Sequence, residues 1–285
     1  MSRARRNRRR HHRLLKLLLF VLLCAAFLRW SNHSLEVERT SFSSPRLPEG
    51  FDGCVIVQLS DLHGAVFGPD NRDLLDRVRA EAPDYIFLTG DLLDQYRKTP
   101  QSYAVDLGRA LADIAPTYFV TGNHEWALPD VGGLKRSLEE AGVTVLSNEY
   151  TLLERGADAI VLAGIDDPNG YADQKTPEEL AQEVGSAFGD PFWLLLAHRN
   201  NYFAPQYSLL GADLVISGHG HGGLIRLPFT DGLISVERTL LPSYTAGFYE
   251  ENGARLFVSR GLGNSGRTFR LFNRPELVVL TLERG

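Results

Sequence analysis

Residues able to hold divalent cations and to move a proton occur in five short blocks. These are Asp61-Leu62-His63, Gly90-Asp91, Gly122-Asn123-His124-Glu125, His198 and Gly218-His219-Gly220-His221. Side chains two apart on an extended stretch point the same way, so Asp61 and His63 can address one ion. The glycine-flanked pair His219 and His221 is the most specific block, because residues without bulk let backbone and metal approach closely. Singly, the others have ordinary readings: a strand end for Asp61-His63, a cap or turn for Asp91 and Asn123, a satisfied core histidine for His198. Together, Asp61, His63, Asp91, Asn123, His198, His219 and His221 supply the O/N donors that two adjacent divalent ions need, with one carboxylate to bridge. Such ligands suit Mn, Fe or Zn, and the absence of cysteine among them argues against a structural zinc site.

The blocks follow apolar runs that read as buried strands. Cys54–Leu59, Tyr85–Leu88, Thr117–Val120, Trp193–Ala197 and Leu214–Ile216 each end on a block, and Thr144–Leu146 and Ala159–Ala163 have the same character. Helical patterns lie between them at Asn71–Glu81, Ser102–Ile114, Gly132–Ala141 and Pro177–Phe188, the last with Thr176 as N-cap. Arg255–Ser259, Phe269–Leu271 and Leu277–Leu282 read as further strands. Alternating strands and helices predict an α/β fold, in which ligands gather outside the carboxyl ends of the strands.

The series D-x-H, G-D, G-N-H-E, H, G-H-x-H resembles the calcineurin-like metallophosphoesterase superfamily, with all five blocks present from Asp61 to His221. GGLIRLPF at Gly222–Phe229 and SRGLGNSGRTFRLFNRPEL at Ser259–Leu277 resemble the closing segments of its membrane-anchored bacterial, YkuE/YaeI-like branch. The resemblance covers roughly residues 52 to 284 and implies a four-layer αββα sandwich. It implies one ion on Asp61, His63 and His221, a second on Asn123, His198 and His219, and Asp91 bridging them. His124 would protonate the leaving oxygen, oriented by Glu125, while metal-activated hydroxide attacks phosphorus in line. Leu224 stands where the branch often has Gln, and Arg199-Asn200 where a continuation towards proline is common, so substrate contacts differ. Arg226 and Arg199 are candidates for binding a substrate anion. The expected reaction is hydrolysis of a phosphodiester or pyrophosphate bond on a lipid or nucleotide-sugar head group, as the branch's resemblance to UDP-diacylglucosamine pyrophosphatases implies. A phosphomonoesterase acting on phosphoproteins or metabolites, and a silent anchored protein, are the alternatives.

Charge is unevenly distributed along the 285 residues, whose formal net charge is −5. Eight of the 30 basic residues lie in the first sixteen positions, leaving 22 basic against 35 acidic elsewhere. An acidic body offers no broad nucleic-acid-binding face. The basic tail (1–13) precedes an apolar run, Leu14–Leu28, interrupted only by Lys16, and Trp30 suits an interfacial belt. We read 14–30 as an uncleaved transmembrane signal anchor that leaves the N-terminus cytoplasmic and the rest outside; a cleaved signal peptide is the main alternative. Residues 31–50 read as a linker with a short edge strand near Leu35–Arg39, and 51–285 as the catalytic domain. Two cysteines, Cys24 and Cys54, make no disulfide framework.

Overall fold

Strands apolar at every position need a packing partner on both faces, and the chain supplies one through four layers. The computed structural model describes residues 3–170, 174–227, 230–236 and 238–285. The first sheet runs β1 (Glu36–Ser43), β14 (Glu276–Glu283), β2 (Cys54–Leu59), β3 (Tyr85–Leu88), β4 (Thr117–Phe119), β5 (Val143–Val145). The second runs β12 (Gly247–Glu251), β13 (Ala254–Val258), β9 (Leu214–Gly218), β8 (Trp193–Arg199), β7 (Asp158–Ile165), β6 (Glu149–Arg155). A two-stranded ribbon, β10 (Ile225–Arg226) with β11 (Gly232–Ile234), stands apart.

Strand alternation decides the layering. Val57, Leu59, Ile86 and Leu88 face outwards onto helices α2 (Arg72–Ala80), α3 (Gln101–Ala112) and α5 (Val131–Glu140). Their neighbours Ile56 and Phe87 face inwards, where they meet Leu194, Leu196, Leu214 and Ile216 of the second sheet. Trp193, Leu195 and Val215 point the other way, onto Leu180 and Val184 of α6 (Pro177–Phe188). The result is the expected four-layer α/β sandwich. Helix α6 starts with a reciprocal capping box, Thr176 Oγ1 accepting from Glu179 N (3.1 Å) and Glu179 Oε2 from Thr176 N (2.8 Å).

Some segments depart from the pattern. The basic tail and apolar run form one helix, α1 (Arg3–His33), in which Arg10–His33 is long and apolar enough to cross a membrane. Most of the 31–50 segment is built into the fold: β1 pairs with β14 over Glu36–Ser43, longer than the expected strand. Its mixed polarity suits a sheet edge, with Phe42 buried and Glu38 and Arg39 exposed. Phe269–Leu271 forms no strand; Leu271 makes an isolated bridge to Ile225, while Arg270 turns into the protein. The edge strands β6 and β12 escaped the sequence pattern because their polar, half-exposed faces (EYTLLER, GFYEE) lack a continuous apolar run.

Strand direction places both the site and α1. β1 runs parallel to β14, which runs antiparallel to β2. The start of β1 therefore lies at the carboxyl ends of β2, β3 and β4. Helix α1 enters the body at that end, where Asn32 Oδ1 accepts from Arg270 N (2.7 Å) and Asn32 Nδ2 donates to Arg270 O (2.9 Å).

Candidate metal centre and active site

Five candidate ligands sit in left-handed backbone: Asp61 (φ 52°), His63 (φ 47°), Asp91 (φ 54°), His219 (φ 66°) and His221 (φ 47°). That region costs a non-glycine residue of order 1–3 kcal/mol, and such residues cluster at functional sites. The expectation that Asp61 and His63 converge holds, although by left-handed turns rather than by extended-strand geometry. His63 Nε2 lies 3.0 Å from His221 Nε2, and His221 Nε2 lies 3.3 Å from Asp61 Oδ1. Asp91 Oδ2 occupies the centre, 3.6 Å from His63 Nε2 and 3.3 Å from His198 Nε2. Among the described residues, three overlapping groups thus have donor atoms close enough to hold an ion: Asp61-His63-His221, Asp91-His198-His219 and His63-Asp91-His124.

The donors suit divalent ions. Asn123 Oδ1 and His198 Nε2 are buried without a hydrogen-bond partner among the described residues; buried polar atoms are rarely left so unless something else binds them. His198 Nδ1 lies 2.7 Å from Thr89 O. Donation to that carbonyl keeps a proton on Nδ1 and turns Nε2 into the site. Burial pushes His63 down to about 4, against the pull of Asp91. Burial, His63 and Arg270 hold His221 well below the usual imidazole range. Both rings are therefore neutral near pH 7, the state that ligates metal. Asp61 is held by Ser60 Oγ, which donates to Oδ2 (2.6 Å), and by the His219 N–H.

Comparison with known proteins agrees with this geometry. The sequence profile of the calcineurin-like phosphoesterase family matches residues 54–223. The chain belongs to that family. It is similar to the metallophosphoesterase YkoQ of Bacillus subtilis (31% identity over 227 residues, 78% of this chain and 81% of the relative). It is also similar to YkuE of the same organism (30% over 265 residues, 88% and 86%). Among solved structures, the NAD nucleotidase NadN of Haemophilus influenzae shares the fold at a TM-score of 0.50 and 17% identity. That match covers 72% of this chain and half of that one.

Around the candidate metal ligands, this calcineurin-like phosphoesterase places several residues differently from expectation. His124 is buried at the pocket floor, with Nε2 3.9 Å from Asp91 Oδ2 and 3.3 Å from Ser265 Oγ. Its orientation comes from Gln95, whose N–H donates to His124 Nδ1 (3.2 Å) and so leaves Nε2 as the nitrogen that faces the site. Asp94 Oδ1 lies 3.8 Å from the same Nδ1, and Asp94 also accepts from Tyr96 N, Arg97 N and Gly266 N. The sequence reading missed Asp94; its one signal was a second acid three residues after Asp91.

Glu125 was expected to orient His124, but its carboxylate is taken up by backbone: Asp91 N (2.8 Å), Gly122 N (2.8 Å) and Leu93 N (3.1 Å) donate to it. It staples the loop after β3 to the loop after β4. Burial, then the charge of Asp91, push it up to about 7 against those amide bonds. Glu125→Gln would set an amide NH₂ against backbone N–H donors. We expect a stability loss of about 1–3 kcal/mol by urea unfolding, the cost of buried groups left unsatisfied.

Gly122 packs against Asp91, and a Cβ there would overlap both the carboxylate and the Asp91 backbone nitrogen. Gly122→Ala should weaken metal binding about 10–100-fold in a competition titration, as disturbed outer contacts of metal ligands do.

The two candidate arginines part company. Arg199 lines the cleft, fixed by Asp167 through Nε (2.7 Å) and Nη2 (3.2 Å). Arg226 does not reach it; Nη1 donates to Gly222 O (2.9 Å) and Thr245 Oγ1 (3.2 Å) and serves the loop instead. Arg270 is fully buried on the carbonyls of Gly263 and Arg260. Of the segment Gly222–Phe229, the last two residues lie outside the described residues.

Proposed function

We propose that the chain is a membrane-anchored, dinuclear-metal phosphoesterase that hydrolyses a phosphodiester or pyrophosphate bond. The observation that carries this reading is the convergence of two donor groups on Asp91, with the Nε2 of His124 beside them. Asp61, His63 and His221 would hold one ion and Asn123, His198 and His219 the other, with Asp91 serving both. Bound there, the ions supply Lewis acidity towards phosphoryl oxygens and lower the pKa of water.

The chain's own residues do the rest. His124 turns Nε2 towards the departing oxygen, because Gln95 occupies Nδ1, and as an imidazolium would give that oxygen the Nε2 proton and be left neutral. Arg199 is held by Asp167 where it can bind a non-bridging oxygen. The cleft, about 740 Å³, is also lined by Arg97, Arg238 and Arg267, with Asp91 its one carboxylate among the described residues. Such a wall favours an anionic substrate. At His219 and Val236 it meets a second cavity of about 370 Å³ lined by Asn200, Asn201 and Tyr244. This further room beside His219 accommodates a second substituent of a diester or pyrophosphate, which supports that reading over a monoester.

As for location, the arginine-rich start of α1 favours a cytoplasmic N-terminus, which places the catalytic domain outside. The entry of α1 at the site end brings the cleft near the membrane, within reach of a phosphorylated lipid head group.

The test is turnover of bis-(p-nitrophenyl) phosphate and p-nitrophenyl phosphate by the manganese-loaded, detergent-solubilised chain. Metal-dependent turnover that favours the diester and stops with a chelator is the expected result. A preference for the monoester would make the protein a phosphomonoesterase. Absence of turnover on either, with metal bound, would sink the simple diesterase reading.

A further inference from the structure

We propose that the mouth of the cleft rests on the surface of the bilayer that α1 spans, seated there by a strip of exposed apolar side chains. This rests on the reading of α1 as a membrane anchor.

The strip is built from segments joined side by side. Leu271 N donates to Leu224 O, and Arg226 N donates to Leu271 O, both at 3.0 Å. Ile225 pairs with Ile234, and Leu241 N donates to Leu233 O (2.9 Å). At about 4.8 Å per step, these four segments span roughly 14 Å. They carry Leu240 and Leu241, 73% and 76% exposed, together with Leu227, Phe269 and Phe272. Single exposed leucines need no explanation, but a contiguous set of leucines and phenylalanines marks a contact surface.

Continuity with the anchor names the occupant. Phe272 packs on Phe27 of α1, with ring centroids 4.8 Å apart, and the Arg274 guanidinium lies 5.1 Å from the Trp30 ring centroid. The loop that bears Phe269 and Phe272 is tied to the end of the same helix by Asn32, through Arg270 N, Arg270 O and Asn264 Nδ2. Where the apolar run of α1 leaves lipid, the strip is therefore at the same level. Arg238 and Arg267 flank it and make no ion pair among the described residues, which suits anionic head groups. Val236 and Arg238 on one segment, and Ser265 to Thr268 on another, also wall the cleft. Docking would thus present the metal centre to phosphate groups at the lipid surface.

The test uses the full chain reconstituted in phospholipid nanodiscs containing anionic lipid. Spin labels are placed singly at Leu241→Cys, Phe269→Cys and, as the control, Ser186→Cys. The background is Cys24→Ser; Cys54 is buried. Ser186 lies near the end of α6, which leads into the start of β8, at the opposite end of the sandwich from the site. Labels at 241 and 269 should relax more with oxygen than with a water-soluble nickel chelate, and the label at 186 the reverse. Labels at 241 and 269 as open to nickel as that at 186 would overturn the proposal. A second readout uses the triple variant Leu240→Asp/Leu241→Asp/Phe269→Asp. It should lose at least tenfold on a phospholipid with a p-nitrophenyl phosphodiester head group while keeping its rate on the soluble diester. Unchanged turnover of the lipid diester would count equally against docking. The labels need no turnover, so an inactive wild type would sink the diesterase reading while docking is still decided.

Discussion

Asp91→Asn is expected to lower kcat/KM for a phosphodiester by about 10³-fold or more, at the upper end of what removing a preorganised electrostatic partner costs. Asp91 Oδ2 is the common neighbour of His198, His63 and His124, at 3.3, 3.6 and 3.9 Å, and Oδ1 accepts from the backbone N–H of His124 (2.9 Å). An amide there removes the negative charge that would lie between two cations and turns an NH₂ towards one set of partners. Metal content per chain, measured by mass spectrometry, should fall with activity. A variant that kept full metal and full rate would disprove the central role of Asp91. The metal-free protein offers a second readout. Burial alone would raise the Asp91 carboxyl, but His198, His63 and His124 outweigh it and hold the group well below 3.8. Burial alone would lower His198, but Asp91 outweighs it and brings the ring up to about 10 from 6.5. The Asp91 contribution is present above 3.8 and is lost in acid; that of His198 is full below 6.5 and lost as pH rises through 10. The stability gap between native and Asp91→Asn chains should therefore be widest between those limits, as pH-dependent urea unfolding would show.

His124→Gln is expected to lower kcat by about 10²–10⁴-fold on alkyl diesters, the range for loss of a positioned proton donor. The loss should be much smaller on nitrophenyl esters, whose leaving group departs without protonation. Metal content should be unchanged if His124 donates a proton and should fall if it is a ligand, because His124 also lies within ligand distance of His63 and Asp91. A series of aryl diesters of graded leaving ability gives the decisive readout: the variant should show the steeper dependence. Equal losses across the series would assign His124 a binding or structural part instead of proton donation.

Much of the site was legible because its residues are coupled to local pattern. Each candidate ligand follows an apolar run by no more than a few residues, and buried strands of a two-sheet sandwich announce themselves as continuous apolar segments. Helices announced themselves equally well where caps were explicit, as with Thr176 and Glu179 at the start of α6. Edge strands such as β6 were hidden because one open face removes the apolar signal. Glu125 looked like a partner of its neighbour His124, yet residues adjacent on a helix, here the short α4 (Asn123–Trp126), diverge, and its carboxylate turned back to three amides.

By itself, the sequence determined the donor set, the strand ends that carry it and the apolar helix at the N-terminus, because these depend on residue type and short-range spacing. Only the tertiary structure decided which donors share a place. His221 meets His63 across two sheets, and the side chains reach each other because Asp61, His63, Asp91, His219 and His221 adopt left-handed turns that no periodicity encodes. It also separated Arg199, fixed in the cleft by Asp167, from Arg226, spent on its own loop. The same holds for α1: apolar content made it a helix able to cross a membrane, but strand direction in the first sheet brought it to the active-site end.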